Sequence, residues 1–318
     1  MHAPGLVLAC SLLVGGLVAL SSLGGGMLYP AVRERIERLA PEDRALLLKL
    51  MAALPWLLAV GALLLALLPS FVTVPGWIED HCLPHEHHPH LCLVHGIWAP
   101  SGLAWVIAGA LALAGGTFWA RLIYRLYHGH RQVRMLLRLA RQSGSYHVLP
   151  SGRFLAFSAG LWRPRTLLTT KVLDHLEEGD LAVVLAHESA HAQRRDALQQ
   201  VLIEALLVAV PRQARSILLG DFSLACEEAC DRLAAADIGS PQRVAEVLLK
   251  VQRLGVTAPA GVPGATGSQL LHRVQALLNE PYPPHPSWVR GLWLSPLLLL
   301  LADPVHHFAE TLLGLLVR

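Results

Sequence analysis

Charge is what this sequence has least of. Asp, Glu, Lys and Arg together make up 15% of its 318 residues, against about 25% in an ordinary soluble domain. Aromatic residues are also sparse at 6%, while hydrophobic residues reach 53% and the mean hydropathy is +0.46. That balance excludes intrinsic disorder and speaks against a cytosolic globular enzyme. A net charge of +3 is too small to draw the chain to nucleic acid, so no direct nucleic-acid binding is expected. Five cysteines in this length make no disulfide scaffold. Residues 70–96 contain no Lys or Arg, and residues 3–28 and 97–120 contain no charged side chain at all.

The uncharged runs are long enough to cross a bilayer. Residues 3–28 would extend about 39 Å as a helix, more than the ~30 Å hydrocarbon core. A cleaved signal peptide would begin with basic residues. This chain begins Met1-His2-Ala3-Pro4, so the run reads as a retained span. The second run, 46–71, is broken only by Lys49, and the third is 97–120. A fourth, 288–316, is interrupted by Asp303, Pro304, His306, His307 and Glu310. It reads as a tilted span, or as a short insertion followed by an interfacial helix.

Of the 26 basic residues, 25 fall in or beside residues 29–45 or within 121–290. The positive-inside rule puts both stretches in the cytoplasm. The expected protein is multi-pass, with its N-terminus outside. Residues 1–120 form three transmembrane helices with a periplasmic loop at 70–96. Residues 121–287 form a cytosolic α+β domain, and 288–318 a fourth transmembrane or interfacial helix. The fold class is thus a predominantly α membrane protein with about four spans. In the cytosolic segment, short strands are expected at 146–148 and 154–157, and a third strand or a turn at 166–170. One helix is expected from an Asp180 cap to Val210, stopped by Pro211; others follow Asp221, Pro241 and Ser268.

The sharpest chemical signal is His187-Glu188-Ser189-Ala190-His191. Two histidines four apart share a helix face, with Cβ atoms about 5–6 Å apart, and both reach one Zn²⁺. Glu188 lies beside the metal, placed to take a proton from water as general base. A chance match is expected only about 0.04 times in a chain of this composition. A catalytic site wants a third ligand and one open position. Glu227-Glu228-Ala229-Cys230-Asp231 supplies candidates. Glu227 is the expected ligand, with Asp231 on the same face to accept a hydrogen bond from an imidazole. Glu228 competes but lacks the partner four residues on. Cys226 and Cys230 flank the expected ligand and are of a type that binds metal, but two cysteines on a cytosolic helix read more simply as small buried residues.

These residues carry a resemblance. The run Leu185-Ala186-His187-Glu188-Ser189-Ala190-His191-Ala192-Gln193-Arg194-Arg195-Asp196, with Glu227 to Asp231 downstream and Ala159-Gly160-Leu161-Trp162-Arg163-Pro164-Arg165-Thr166 upstream, is similar to the membrane zinc metallopeptidases of the BlaR/MecR type. These are β-lactam-sensing transducers related to HtpX-type proteases. The resemblance implies a gluzincin-like domain and zinc-dependent cleavage of a cytosolic protein such as a winged-helix repressor, or of the protease itself. A homodimer stays open. His187, His191 and Glu227 match the metal ligands, Glu188 the general base, and Asp231 and Asp196 supporting acids. Residues Phe154, Leu155, Ala156, Phe157 and Ser158 are the candidate edge strand for extended substrate. Arg273 resembles a family arginine near the cleft, but reads more simply as a solvated helix charge. The antibiotic sensors carry a penicillin-binding domain after their last span. This sequence ends at Arg318 and has no Ser-x-x-Lys motif, so sensing through its own acylated serine is not expected.

The outer loop offers another input. His81, Cys82, His85, His87, His88, His90, Cys92 and His95 are ligand types suited to copper, zinc or nickel. Cys82 and Cys92 are alternatively a disulfide pair, and a plain polar hairpin is the simplest reading. Two rivals to the protease follow. One is a non-catalytic transmembrane metal sensor. The other is a metal transporter, which would need ionisable groups inside the spans; residues 6–28, 51–68 and 97–120 have none.

Overall fold

The apolar runs of the sequence become three long helices. The computed structural model describes residues 3–73, 102–254, 267–279 and 311. Helices α1 (Ala3–Glu37), α2 (Pro41–Thr73) and α3 (Gly102–Leu139) are long and apolar enough to cross a membrane over Val7–Glu37, Pro41–Leu68 and Trp105–Leu139. The expected fourth span and the His/Cys-rich loop lie outside the described residues, apart from Thr311.

The helices overrun the apolar stretches. Most of the expected cytoplasmic loop at 29–45 is helical, since α1 continues to Glu37 and α2 begins at Pro41. Proline at a first helical position loses no hydrogen bond, and Glu42 and Asp43 complement the helix N-terminus. The basic stretch after residue 120 continues the third apolar run as helix: α3 runs unbroken out of its apolar half into its basic half.

A four-stranded sheet follows, formed by β1 (Arg141–Ser143), β2 (Tyr146–Leu149), β3 (Ala156–Ala159) and β4 (Arg165–Thr169). Its order is β1-β2-β4-β3, with β2 and β4 parallel and the other pairs antiparallel. Strand β1 was not expected. Gly144, at φ 58°, turns the chain so that Arg141 pairs with Val148. Strand β3 ends at Gly160, whose φ of 115° suits glycine and whose missing Cβ would sit 2.9 Å from the Arg163 carbonyl oxygen.

The remaining helices are α4 (Thr170–His175), α5 (Glu178–Arg194), α6 (Asp196–Leu206), α7 (Arg212–Ile238), α8 (Pro241–Arg253) and α9 (Gly267–Leu278). The single helix expected up to Val210 is interrupted. Arg195 adopts φ 54°, ψ 45°, a left-handed bend that separates α5 from α6. Asp180 is no cap; it lies buried in the first turn of α5 and pairs with Arg243 and Lys250 of α8. Helix α7 starts directly after Pro211, earlier than expected, and closes on Gly239 in the left-handed conformation.

Two apolar cores grip α7. One joins it to the α1–α2 hairpin through Tyr29, Leu48, Ile203 and Phe222. The other joins it to α5, the sheet and α8 through Leu168, Val184, Ala234 and Val244. Gly26 lets α1 approach the α6–α7 turn, since a Cβ there would already touch Ala214 at 3.3 Å.

Candidate active site

Helix α5 presents its last two turns to α7. His187 and His191 face one another there, with their Nε2 atoms 3.1 Å apart. Glu227, from α7, places Oε2 3.6 Å from His187 Nε2 and Oε1 3.5 Å from His191 Nε2. A tetrahedral ion with bonds of ~2.0–2.1 Å keeps its ligand atoms about 3.3–3.4 Å apart. The three measured edges bracket that value, so these residues fit such an ion. Glu228, the competing ligand, lies off this face of α7 and is buried against Arg44 of α2.

The far side of each imidazole meets a carboxylate. His191 Nδ1 lies 2.9 Å from Asp196 Oδ2. The left-handed bend at Arg195 makes this possible by folding the first residue of α6 back onto α5. His187 Nδ1 lies 2.9 Å from Asp231 Oδ1. That Nδ1 is buried with no well-aligned hydrogen-bond acceptor, so the contact is electrostatic and a small ring rotation would align it. With each Nδ1 turned to an acid, both Nε2 lone pairs and the Glu227 carboxylate converge on one point. Three electron-rich atoms in that arrangement call for a cation or a proton.

Arg273 completes the cluster, and here the solvated reading fails. The side chain is buried, its Nε and one terminal nitrogen each donate to Asp231 at 2.7 Å, and its other terminal nitrogen lies 2.9 Å from Glu227 Oε2. The sequence held a readable signal. Leu270, Arg273, Val274 and Leu277 recur at helical spacing, which puts the arginine on the apolar stripe of α9. Cys230 was also read too simply. It is buried, but its thiol donates to Asp196 at 3.3 Å and sits 3.3 Å from His191 Nδ1. Burial, and then the Asp196 charge, push that thiol up and keep it neutral; the same causes push Cys226 up to about 12.

Glu188 is buried beside the two histidines and outside the convergent set. Burial pushes its carboxyl up, against the pull of His191 and His187. It opens onto a cavity of about 340 Å³ lined by Phe157, Ser158, Val184, Val247, Leu248 and Arg273. Of the expected edge strand, Ala156, Phe157 and Ser158 lie in β3, at the edge of the sheet. Phe154 is instead buried in the core, and Leu155 is tied to Thr169 ahead of the strand.

The family model described as BlaR1 peptidase M56 matches residues 48–277. The chain belongs to this peptidase family. The match begins in α2 and ends in α9, so it takes in both the membrane-helix hairpin's second arm and every element of this site. No curated protein and no solved structure matches. As a BlaR1-family peptidase with three helices among the described residues long enough to cross a bilayer, the chain is a membrane protein.

The electrostatics of this peptidase's site predict a pH response for the metal-free chain. Burial disfavours the charged His187, but Asp231 and then Glu227 outweigh it and raise the imidazole from its ordinary 6.5 to about 10. A raised group stabilises fully below pH 6.5, and that stability is lost as pH rises through about 10. Glu227 is opposite in sign. Burial is outweighed by Arg273 and the histidines, holding it well below the usual carboxylate range. Its contribution is therefore present above pH 4.5 and lost only in strong acid. With chelator present, the unfolding midpoint should be at least roughly 5 °C lower at pH 9.5 than at pH 6. Metal affinity should rise over the same interval, because the proton must leave first. A flat melting profile across that range would contradict the assignment.

Proposed function

We propose that this chain is a zinc-dependent metalloendopeptidase that cleaves a cytosolic protein, with Zn²⁺ held by His187, His191 and Glu227. The observation that carries this reading is the convergence of those three side chains beside a buried glutamate, in a cleft edged by an open strand. Bound zinc would supply a Lewis acid that polarises the water and the scissile carbonyl. Glu188 takes the proton from the attacking water and returns it to the leaving nitrogen. Asp231 and Asp196 hold the imidazoles by Nδ1, and Arg273 holds Glu227 and Asp231.

Strand β3 supplies the substrate cradle. Thr169 N–H donates to the Leu155 carbonyl, and the antiparallel register then turns the backbone groups of Phe157 toward β4. Those of Ala156 and Ser158 point to the open edge, where extended peptide adds a strand. Ser158→Pro therefore removes one substrate bond and no sheet bond. It should lower kcat/KM by about 3- to 10-fold, the worth of one net hydrogen bond, with zinc content unchanged. Unaltered kcat/KM in a steady-state peptide assay would remove β3 from the substrate site.

The reading extends to topology and partners. The basic ends of α1 and α2 contact α7, so the hairpin's positive end and the peptidase domain share a side. With the positive-inside rule this supports a cytoplasmic domain and an outer N-terminus, in a bacterial inner membrane. A winged-helix repressor is the proposed substrate. The test is incubation of the purified full chain with such a repressor, with and without chelator. Chelator-sensitive cleavage supports the reading, and cleavage indifferent to chelator overturns it.

A further inference from the structure

Helix α7 carries the third metal ligand on one face and is bound to the membrane hairpin by another. Asp221, Glu228 and Arg232 lie seven and four residues apart, within about 40° of one line along the helix. Asp221 accepts from Tyr29 at 2.6 Å and from Arg33 at 2.7 Å, both on α1. Arg232 donates to Glu42 of α2 at 2.8 Å. Between them Glu228 pairs with Arg44 of α2, and both side chains are buried. Arg44 also donates to the Glu37 carbonyl at 3.3 Å, so one guanidinium ties together the end of α1, α2 and α7.

The ligand Glu227 is the neighbour of Glu228, roughly 100° around the helix. A side-chain group about 5–6 Å from the helix axis moves roughly 2 Å when the helix turns by about 20°. That displacement is a whole zinc–ligand bond length. The azimuth of α7 must therefore be held from outside the site. A buried ion pair adds little to stability compared with apolar side chains of the same volume, and its best-attested use is to set register.

We infer that Arg44 is a positioning residue for the metal centre: through Glu228 it sets the rotation of α7, and so the approach of Glu227 to the two histidines. The inference rests on the zinc reading above. It makes the hairpin a part of the catalytic unit, so that a shift of α1–α2 is felt as a change in metal coordination.

The test uses the full chain in detergent or nanodiscs, with zinc affinity from chelator competition and the visible spectrum of the cobalt-substituted protein. Arg44→Met combined with Glu228→Met leaves no unpaired buried charge. Its zinc affinity should fall about 10- to 100-fold, as for other groups that orient ligands, with altered cobalt bands, lower kcat, similar KM and unchanged circular dichroism. Arg44→Lys keeps the charge but cannot span Glu228 and Glu37 together; it should lose about 3- to 10-fold in affinity, and it decides the matter if the double variant does not fold. Wild-type affinity and wild-type cobalt bands in a folded variant overturn the inference while leaving the zinc site standing. Failure of the wild-type chain to bind one zinc overturns both.

Discussion

Glu188→Gln is expected to lower the turnover number by about 100- to 10,000-fold and, if the proposed zinc site holds, to leave the zinc content at wild-type level. The size is that of a lost general acid–base group. The separation of the two effects follows from geometry. His187, His191 and Glu227 converge among themselves, with edges of 3.1, 3.6 and 3.5 Å, and Glu188 is outside that triangle. Glutamine keeps the shape of the buried side chain and its neighbours' packing, so what is removed is the ability to carry a proton. Burial has already raised the carboxyl, which makes it a stronger base toward the attacking water. The measurement is single-turnover cleavage beside metal analysis. A domain in which metal only holds the fold together gives no difference between wild type and Glu188→Gln, and that result would end the peptidase mechanism.

Arg273→Met should be the most damaging substitution for the folded domain. Asp231 is fully buried, and its two oxygens both accept from Arg273. The same guanidinium lies against Glu227. Removing one partner from a buried pair costs about 3–5 kcal/mol, because the remaining charge is out of water with less positive charge beside it. Here two carboxylates lose that charge at once. The loss should be largest in chelator and smaller with zinc present, since the ion returns positive charge to the cluster. Thermal unfolding of both proteins, with chelator and with excess zinc, gives four midpoints. Equal midpoints for mutant and wild type in chelator would show that Arg273 is not the counter-charge.

Much of the site was legible because its geometry is local. His187 and His191 share a helix face by spacing alone, and Glu227 with Asp231 repeats that spacing on α7. The preference for Glu227 over Glu228 rested on the same arithmetic, and the two side chains do point to different partners. Arg273 was misjudged because a lone arginine on a short helix is ordinarily solvated. The contrary signal, its place on the apolar stripe, carries weight only once a buried acid is known to face it. Asp196 was visible as an acid after the motif. Its contact with His191 needed the left-handed bend at Arg195, which no residue type at that position announces.

Hydrophobic run length, charge placement and helical spacing are properties of the chain itself, so four candidate spans, three of them helices among the described residues, a peptidase motif and its candidate ligands could be read without coordinates. The cleft, its open strand edge and the buried ion pairs bring together residues far apart in sequence: Arg44 with Glu228, Arg273 with Asp231. Such pairings depend on which helix faces which. That is settled by the packing of two apolar cores around α7, where the cost of burying an unpaired charge selects the partner.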